Sequence, residues 1–392
     1  MKILFVRTYC PNLIVYGSEI RAALYINYFL QKGKVDLLTL TAPSQHTDTN
    51  YIQTRFNKHY YFDQRGEHTR LERMEKLLYL VPWQITEHYA KDFQKKLSAL
   101  IDDNQYDFIF VFKLEPVFYF LQLASHWRNR VVIDFDDILS DLYLNYYKNF
   151  FTARKNSFSI KFYEHKALKR FRRVFVCSRD AFSRIHPKYR NKVGIVPNVF
   201  AADQNQFNSA PGPDNRILFV GSLDYFPNTE GLKWFCTHIW PKFLKEYPDT
   251  TLSIVGKIQK DSSYIYSLLG NPKNTEVTIN ALSTLLYYEN CGVTVVPLLN
   301  GSGTRLKILE SVAYGRPVIT TSKGVEGLDF ENGKNVFIFN DAVSFINAYK
   351  ALLNKQKYAQ ITQDAFGVLK ERYSSEVFLS CMNENWPLMI QG

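Results

Sequence analysis

Short runs of β-branched and aromatic residues alternate with helix-length segments from one end of this chain to the other. The runs are continuously apolar, as in residues 108–112 and 293–296. Strands of this kind are buried on both faces, which requires parallel sheets covered by helices. Twelve strands exceed a sheet of ordinary size, so the chain is predicted to form two doubly wound α/β domains. The predicted strands are residues 3–6, 37–40, 108–112, 131–135, 174–177, 193–196, 217–220, 251–255, 277–279, 293–296, 318–320 and 336–339.

A polar segment without periodicity separates the two series of strands. Residues 198–215 contain two prolines and several asparagines, which is typical of a linker. We therefore predict a first domain at residues 1–197 and a second domain at residues 216–374. The last segment, residues 375–392, is predicted to be helical and to pack back on the first domain.

The composition is that of an ordinary globular protein, with 46% hydrophobic and 22% charged residues. The formal net charge of +11 favours an anionic partner. No zinc-finger or RNA-binding motif is present, so nucleic acid is not the expected partner. The five cysteines show neither metal-site nor disulfide spacing, and no apolar run is long enough to span a membrane. The short apolar run before Arg7 fits a first strand better than a signal peptide, and we expect a cytoplasmic protein.

A glycine-containing loop lies between the predicted strands 293–296 and 318–320. Gly301 and Gly303, on either side of Ser302, allow the backbone to approach a ligand closely. Thr304 can cap the helix that follows, whose first N–H groups form an anion site. A plain turn is the alternative interpretation.

Three charged side chains follow this loop on the same predicted helix. Arg305 and Lys307 add positive charge near the helix start, and Glu310 adds a carboxylate. Lys307 and Glu310 also have the spacing of a surface ion pair. With the glycine loop before them, however, the combination favours a ligand that carries both phosphates and sugar hydroxyls. A nucleotide sugar fits this description.

Polar residues also follow the first predicted strand and a central strand of the first domain. Gly17 and Ser18 form either an ordinary helix start, with Ser18 as its cap, or a loop that faces a binding cleft and holds phosphate or another part of a substrate. Arg21, one helical turn further on, could reach the cleft that such a loop would border, or it could pair with a carboxylate elsewhere in the fold. After residue 133 come three carboxylates, which could bind a metal, act as a base, position a substrate hydroxyl or cap the next helix: Asp134, Asp136 and Asp137.

Residues 148–173 contain nine lysines or arginines, one acidic residue, Glu164, and interleaved aromatic residues. Two interpretations have equal weight. One is a helix whose buried apolar stripe supports a basic outer face. The other is docking on an anionic membrane surface.

The second domain resembles the retaining GT-B glycosyltransferases of family 4, also called glycosyl transferases group 1. The resemblance is closest to a branch with a Thr-Arg-Leu-Lys-Ile-Leu-Glu donor motif, found here at residues 304–310. Its order and spacing extend over residues 216–228, 253–257, 295–319 and 324–328. The first domain matches more loosely, at residues 17–21, 134–137 and 195–199.

The resemblance implies a two-domain GT-B fold with Rossmann-like domains and an active site in the cleft between them. It implies that Glu310 holds the ribose hydroxyls of the donor. Lys307, Arg305 and the amides of Gly303 and Thr304 would hold the diphosphate.

Two departures from the family pattern stand out. Ser302 occupies the position of the first of two glutamates, which often contacts the transferred sugar. The Arg and Lys that usually follow the first strand of the second domain are missing, and Ser222 and Asn228 occupy that region. We expect Arg305 and Lys307 to supply the missing charge.

For catalysis, the resemblance implies that Arg305 and Lys307 stabilise the departing diphosphate. Asp136 and Asp137 are candidates for contact with the acceptor, because the histidine that many relatives carry in this region is absent. Asn280 stands where family members recognise the base through backbone groups, with a structural turn residue as the alternative.

The function expected from these observations is retaining transfer of a sugar, most simply from a UDP-sugar, to a glycan or lipid-linked acceptor. We expect neither a metal nor a cofactor, and peripheral attachment to the inner face of the cell membrane is a further expectation. The alternatives are a sugar-nucleotide epimerase on the same fold and an inactive nucleotide- or glycan-binding partner subunit.

Overall fold

The computed structural model describes residues 1–11, 17–44, 47–62, 91–121, 123–136, 138–140, 150–200, 207–208, 215–258, 261–301 and 305–390. The chain divides into two compact units. The first consists of Met1–Val196 together with Leu379–Gly392, and the second is Pro197–Phe378. Within the described residues, no helix combines the length and apolar character needed to cross a membrane.

The first unit contains a seven-stranded parallel sheet in the order β3-β2-β1-β4-β5-β6-β7. Its core is formed by the buried strands and the helices that pack on them. The strands are β1 (Lys2–Arg7), β2 (Lys34–Thr39), β3 (Lys58–Tyr61), β4 (Phe108–Phe112), β5 (Val131–Asp134), β6 (Arg173–Val176) and β7 (Val193–Ile195). The helices are α1 (Gly17–Leu30), α2 (Thr49–Arg55), α3 (Lys91–Asn104), α4 (Val117–Phe120), α5 (Ser125–Arg128), α6 (Phe150–Arg170) and α7 (Arg179–Arg184), with a 3₁₀ helix at Pro187–Lys192.

The second unit contains a six-stranded parallel sheet in the order β10-β9-β8-β11-β12-β13. The strands are β8 (Arg216–Val220), β9 (Thr251–Gly256), β10 (Thr275–Ile279), β11 (Val293–Val296), β12 (Val318–Thr320) and β13 (Phe337–Ile338). The helices are α8 (Phe226–Trp234), a π-helical turn at Phe235–Ile239, α9 (Trp240–Glu246), α10 (Ser262–Leu269), α11 (Leu285–Glu289), α12 (Leu306–Ala313), α13 (Ser322–Val325), α14 (Ala342–Leu352), α15 (Lys355–Arg372) and α16 (Ser375–Ile390), the last of which runs on into the first unit.

The predicted class, α/β with two doubly wound parallel sheets, is confirmed. Each predicted apolar run overlaps an observed strand, because a run of this kind is stable only between two layers of helices. One strand, β3, was not predicted. Its sequence, Lys-His-Tyr-Tyr, lacks a continuous apolar run because β3 lies at the edge of the sheet and is only partly buried.

The last helix, α16, completes the core of the first unit. The Trp386 ring lies 5.7 Å from the ring of Phe108 and 5.8 Å from that of Tyr28, measured between centroids. Next to it, Arg173 Nη2 donates to Asn385 Oδ1 at 2.6 Å. The helix therefore joins β4, α1 and β6 through both apolar and polar contacts.

Two glycines in helices of the second unit differ in the space around them, and they provide a matched test of how closely α8 packs against Pro297. A Cβ on Gly231, in α8, would lie 2.2 Å from the carbonyl oxygen of Pro297, whereas a Cβ on Gly367, in α15, would have no neighbour within 4 Å. We expect Gly231→Ala to lower the free energy of unfolding by about 1–3 kcal/mol, because backbone must move. Gly367→Ala should raise it by about 0.5–1 kcal/mol. Urea denaturation of both variants checks this, and equal effects would contradict the packing described.

Candidate functional site

The order of the strands in the second sheet reverses between β8 and β11. The chain leaves these neighbouring strands toward helices on opposite faces, which opens a crevice at their carboxyl ends. The loops after β8 and β11 border this crevice. Both the glycine-containing loop and the start of α12 follow β11 directly, so the residues singled out in the sequence lie at this point.

Lys307 joins the two sides of the crevice. Its Nζ donates to Oδ1 of Asn228 at 2.6 Å, and Asn228 Nδ2 donates to the carbonyl oxygen of Ser222 at 2.7 Å. Asn228 is buried, and the Lys307 amine lies 4.6 Å from the centroid of the Phe219 ring. The amide of Asn228 therefore fixes the position of the amine, and the predicted Ser222 takes part through its backbone.

Gly221 leaves space for this arrangement. A Cβ at position 221 would lie 2.8 Å from Lys307 Nζ and 2.9 Å from Asn228 Nδ2. Both distances are shorter than a carbon–nitrogen contact allows, so a larger residue would displace the amine. The glycine immediately after β8 is a signal that sequence analysis could have used.

Burial, followed by the nearby charge of Arg305, lowers the pKa of the Lys307 amine to about 7, while Glu310 acts in the opposite direction. The lysine is half-buried. An amine in this position is only partly protonated near neutral pH, and an anion bound beside it would favour the protonated form.

Arg305 precedes α12 and is buried, and its carbonyl oxygen accepts from Ile308 N at 2.8 Å. Gly301 has a φ of 114°, a conformation that favours glycine, and a Cβ there would lie 3.4 Å from Arg305 Nη2. The guanidinium is therefore next to the glycine loop. Three predicted loop residues, Ser302, Gly303 and Thr304, lie outside the described residues.

Glu310 lies one turn beyond Lys307 on the same helix. Its Oε1 accepts from Oγ1 of Thr284 at 2.6 Å. Burial raises the pKa of the Glu310 carboxyl, while the Thr284 hydroxyl, Tyr288 and the Lys307 amine oppose the rise. Thr284 was not predicted as a site residue, because nothing near it in the sequence indicates that its hydroxyl donates to Glu310 in α12.

Asn280 uses its side chain within the loop structure. Its Oδ1 accepts from Ile258 N at 3.2 Å and its Nδ2 donates to Ile258 O at 3.0 Å. Its φ of 54° is left-handed, which asparagine tolerates. This geometry is that of the turn residue named as the alternative.

In the first unit, Arg21 pairs with a carboxylate. Its Nε and Nη2 donate to the two carboxylate oxygens of Asp134, each at 2.7 Å, and its Nη1 donates to the carbonyl oxygen of Val196 at 2.8 Å. Arg21 and Asp134 are fully buried. Burial alone would lower the pKa of Arg21, but the charge of Asp134 and smaller contributions from Tyr25 and Asp136 raise it. This pair fixes α1 to the end of β5, so both side chains have a structural role.

Among the other predicted residues of the first unit, Asp136 lies next to this pair. Asp136 has a φ of 59°. Its Oδ1 lies 3.6 Å from Arg21 Nε, and its Oδ2 lies 4.0 Å from Lys113 Nζ. Gly17 and Ser18 begin α1, and their side chains are not described. Asp137 lies outside the described residues. The structure thus brings Arg21 and Asp136 together, and separately groups Arg305, Lys307, Glu310 and Ser222.

Comparison with known sequences gives a match in the second unit. Residues 214–355 match the family described as "Glycosyl transferases group 1". A Klebsiella pneumoniae protein described as "Uncharacterized 44.6 kDa protein in cps region" is 25% identical over 98% of this chain and its own full length. An "Uncharacterized glycosyltransferase" of Haemophilus influenzae is 24% identical over 44% of this chain and 48% of its own. Within the second unit, residues 214–355 are therefore similar to the glycosyl transferases group 1.

Solved structures share the fold over the full length. HepE from Anabaena, in complex with UDP and glucose, covers 99% of both chains with a TM-score of 0.69 and 15% identity. Sucrose-phosphate synthase from Thermosynechococcus elongatus covers 98% of both, with a TM-score of 0.71 and 15% identity. S. aureus TarM, in complex with fondaparinux, alpha-GlcNAc-glycerol and UDP, covers both chains fully, with a TM-score of 0.68 and 10% identity. The predicted GT-B fold is confirmed.

The lowered pKa of Lys307 predicts a pH dependence of stability. The pKa is about 7 in the folded protein and about 10.5 when the lysine is exposed on unfolding. Between these values the unfolded state binds more protons, so this residue makes the free energy of unfolding rise with pH. We expect Lys307→Met to remove on the order of 1–2 kcal/mol of that rise, after allowance for its partial exposure.

The measurement is urea denaturation between about pH 7 and 10, with Lys350→Met as control. Lys350 is an exposed lysine of α14. If the free energy of unfolding depends on pH in the same way in both variants, the pKa of Lys307 is not lowered in the folded protein, and the environment assigned to its amine is incorrect.

Proposed function

We propose that this protein is a glycosyltransferase that uses a nucleotide diphosphate sugar as donor and belongs to family 4. The observation that carries the proposal is the position of Lys307 and Glu310 on α12, and of Arg305 immediately before it, at the crevice between β8 and β11. Two cations and a carboxylate at the reversal of a parallel sheet match the needs of a diphosphate and a ribose. The glycosyl transferases group 1 match over residues 214–355 supports the same assignment.

In the proposed reaction, the bond between the anomeric carbon and the donor phosphate oxygen breaks, and the acceptor hydroxyl forms the new bond from the same face. The nucleoside diphosphate leaves with the bonding electrons, and a phosphate oxygen takes the acceptor proton. Lys307 and Arg305 stabilise the charge that develops on the leaving group, because Arg305 lies beside the glycine loop and Asn228 holds the Lys307 amine at the same crevice. These cations take the part that a metal ion would otherwise play.

UDP is the proposed nucleotide, since HepE and TarM, which share the fold, are complexes with UDP. A cell-surface polysaccharide is the proposed product, since a relative matched over its full length is described as lying in a cps region. The acceptor is accordingly a growing glycan or a lipid-linked sugar. Glu310 is assigned to the ribose hydroxyls.

Lys307 and Arg305 can be tested through donor affinity. We expect Lys307→Met and Arg305→Ala each to weaken UDP-sugar binding about 10- to 100-fold, since each removes a charged hydrogen-bond donor. Thermal shift with a panel of UDP-, GDP- and dTDP-sugars identifies the donor, because a ligand that binds the folded state stabilises it. Calorimetry then gives the affinities. Lys350→Met is the control, and unchanged affinity in both site variants would refute the assignment.

Glu310 can be tested through turnover. Slow release of free nucleotide from the matching sugar nucleotide is expected in the native protein. Glu310→Ala should reduce it about 10-fold or more, since a charged hydrogen-bond partner is lost, and Glu310→Gln should reduce it less. Glu289→Ala, an exposed glutamate of α11, is the control. Tight binding with no turnover, alone or with glycan acceptors, would instead indicate a binding subunit.

A further inference from the structure

Helix α6 has an inner face that accounts for its place in the fold. Ile160, Tyr163, Ala167 and Phe171, which follows the helix, are buried in the core of the first unit. The single acidic residue, Glu164, also points inward, where its Oε2 accepts from Ser140 Oγ at 2.7 Å. The buried stripe expected from the sequence is therefore present.

The outer face of α6 carries aromatic residues that do not pack in the core of the first unit. Phe158 and Phe162 lie one turn apart and are 64% and 41% exposed. Exposed lysines surround them along the same side of the helix. We call this surface the basic-aromatic face, and it consists of Lys155, Phe158, Lys161, Phe162, Lys166 and Lys169.

The charge on this face has one sign. Between residues 154 and 170 the only acidic residue is Glu164, which is buried, so no exposed carboxylate lies among the lysines of the helix. A solvated helix face normally mixes both signs of charge. A uniformly cationic face with two exposed aromatic rings suits an anionic surface that has an apolar layer beneath it.

We propose that the basic-aromatic face docks on the surface of an anionic lipid bilayer. The rings of Phe158 and Phe162 would enter the boundary between headgroups and acyl chains, while the long lysine side chains reach the lipid phosphates. This inference rests on α6 alone and does not depend on the proposed transfer reaction.

The geometry favours lipid over single-stranded nucleic acid. Proteins that bind single strands stack bases on the faces of aromatic rings within a groove. Here Lys166 Nζ lies 4.3 Å from the centroid of the Phe162 ring and covers one of its faces. The face is also the outer side of a helix and not a groove. An ammonium over the ring is compatible with insertion into a bilayer, because the amine can stay at the level of the headgroups.

Vesicle flotation of the full chain tests the proposal. One set of vesicles contains phosphatidylcholine alone, and another contains about one third phosphatidylglycerol, an anionic lipid. We expect binding to the anionic vesicles only, and weaker binding when salt is raised from about 0.1 M to 0.5 M. Equal binding to both vesicles, or none to either, would overturn the proposal.

Two double variants locate the surface. Lys161→Glu with Lys166→Glu should lower the partition coefficient about 30-fold or more, and Phe158→Ala with Phe162→Ala about 10-fold or more. The control, Lys245→Glu with Lys350→Glu, makes the same change of net charge at exposed lysines of α9 and α14 and should retain binding. All six positions are exposed, so folding is preserved. Equal losses in the two lysine-to-glutamate variants would show that net charge alone drives binding, and full binding by the phenylalanine variant would contradict insertion of the rings. Either result would refute docking through α6.

A parallel binding measurement with a single-stranded oligonucleotide distinguishes a lipid-binding surface from one that binds nucleic acid. Retention of the oligonucleotide without any retention on anionic vesicles would assign the basic-aromatic face to nucleic acid and overturn the proposal. Donor binding and turnover should be unchanged in both α6 variants. Loss of vesicle binding together with intact turnover would therefore support the docking surface independently of the reaction.

Discussion

Parallel strands that are buried on both faces have little room for polar groups except at their ends, where ligands of such sheets bind. In the second unit this constraint directs the chemistry to the carboxyl ends of β8 and β11, where the strand order reverses. Lys307 comes from one side of that point and Asn228 from the other, and the hydrogen bond between them joins two segments 79 residues apart in sequence. The crevice is thus bordered by side chains that hydrogen bonds within the protein hold in place.

The two units share the same winding but place their buried charges differently. Near the centre of the first sheet, the fully buried pair of Arg21 and Asp134 ties α1 to β5, and despite burial the charge of Asp134 keeps the pKa of Arg21 high. In the second sheet, Arg305 immediately precedes α12 and Lys307 lies within it, and burial together with the positive charge of Arg305 lowers the pKa of the Lys307 amine. The charged form of the buried cation is therefore favoured by its neighbour in the first unit and disfavoured by its neighbour in the second.

The fold was largely predictable from the sequence because apolar runs and helix-length segments are local signals. The group of residues at the start of α12 was also predictable, since its glycines, cations and carboxylate occur within ten positions. The residues that form hydrogen bonds with this group were not predictable. Thr284 and Glu310 meet across 26 positions, and Arg21 and Asp134 across 113, and no local pattern indicates such pairs. Asn280 is the opposite case, a predicted site residue whose side chain serves the fold. The polar amide that made it conspicuous after a strand forms two hydrogen bonds with the backbone of Ile258.

The first unit is assembled from two distant parts of the chain. The ring of Trp386, in α16, packs among the aromatic rings of α1 and β4, although the whole second unit lies between them in sequence. During synthesis, the sheet of the first unit therefore emerges long before its last core residue. The aromatic surface under Trp386 must stay uncovered until residues 379–390 have left the ribosome. The second unit, Pro197–Phe378, has its complete sheet available earlier, so on the ribosome the unit that starts first is the one that finishes last.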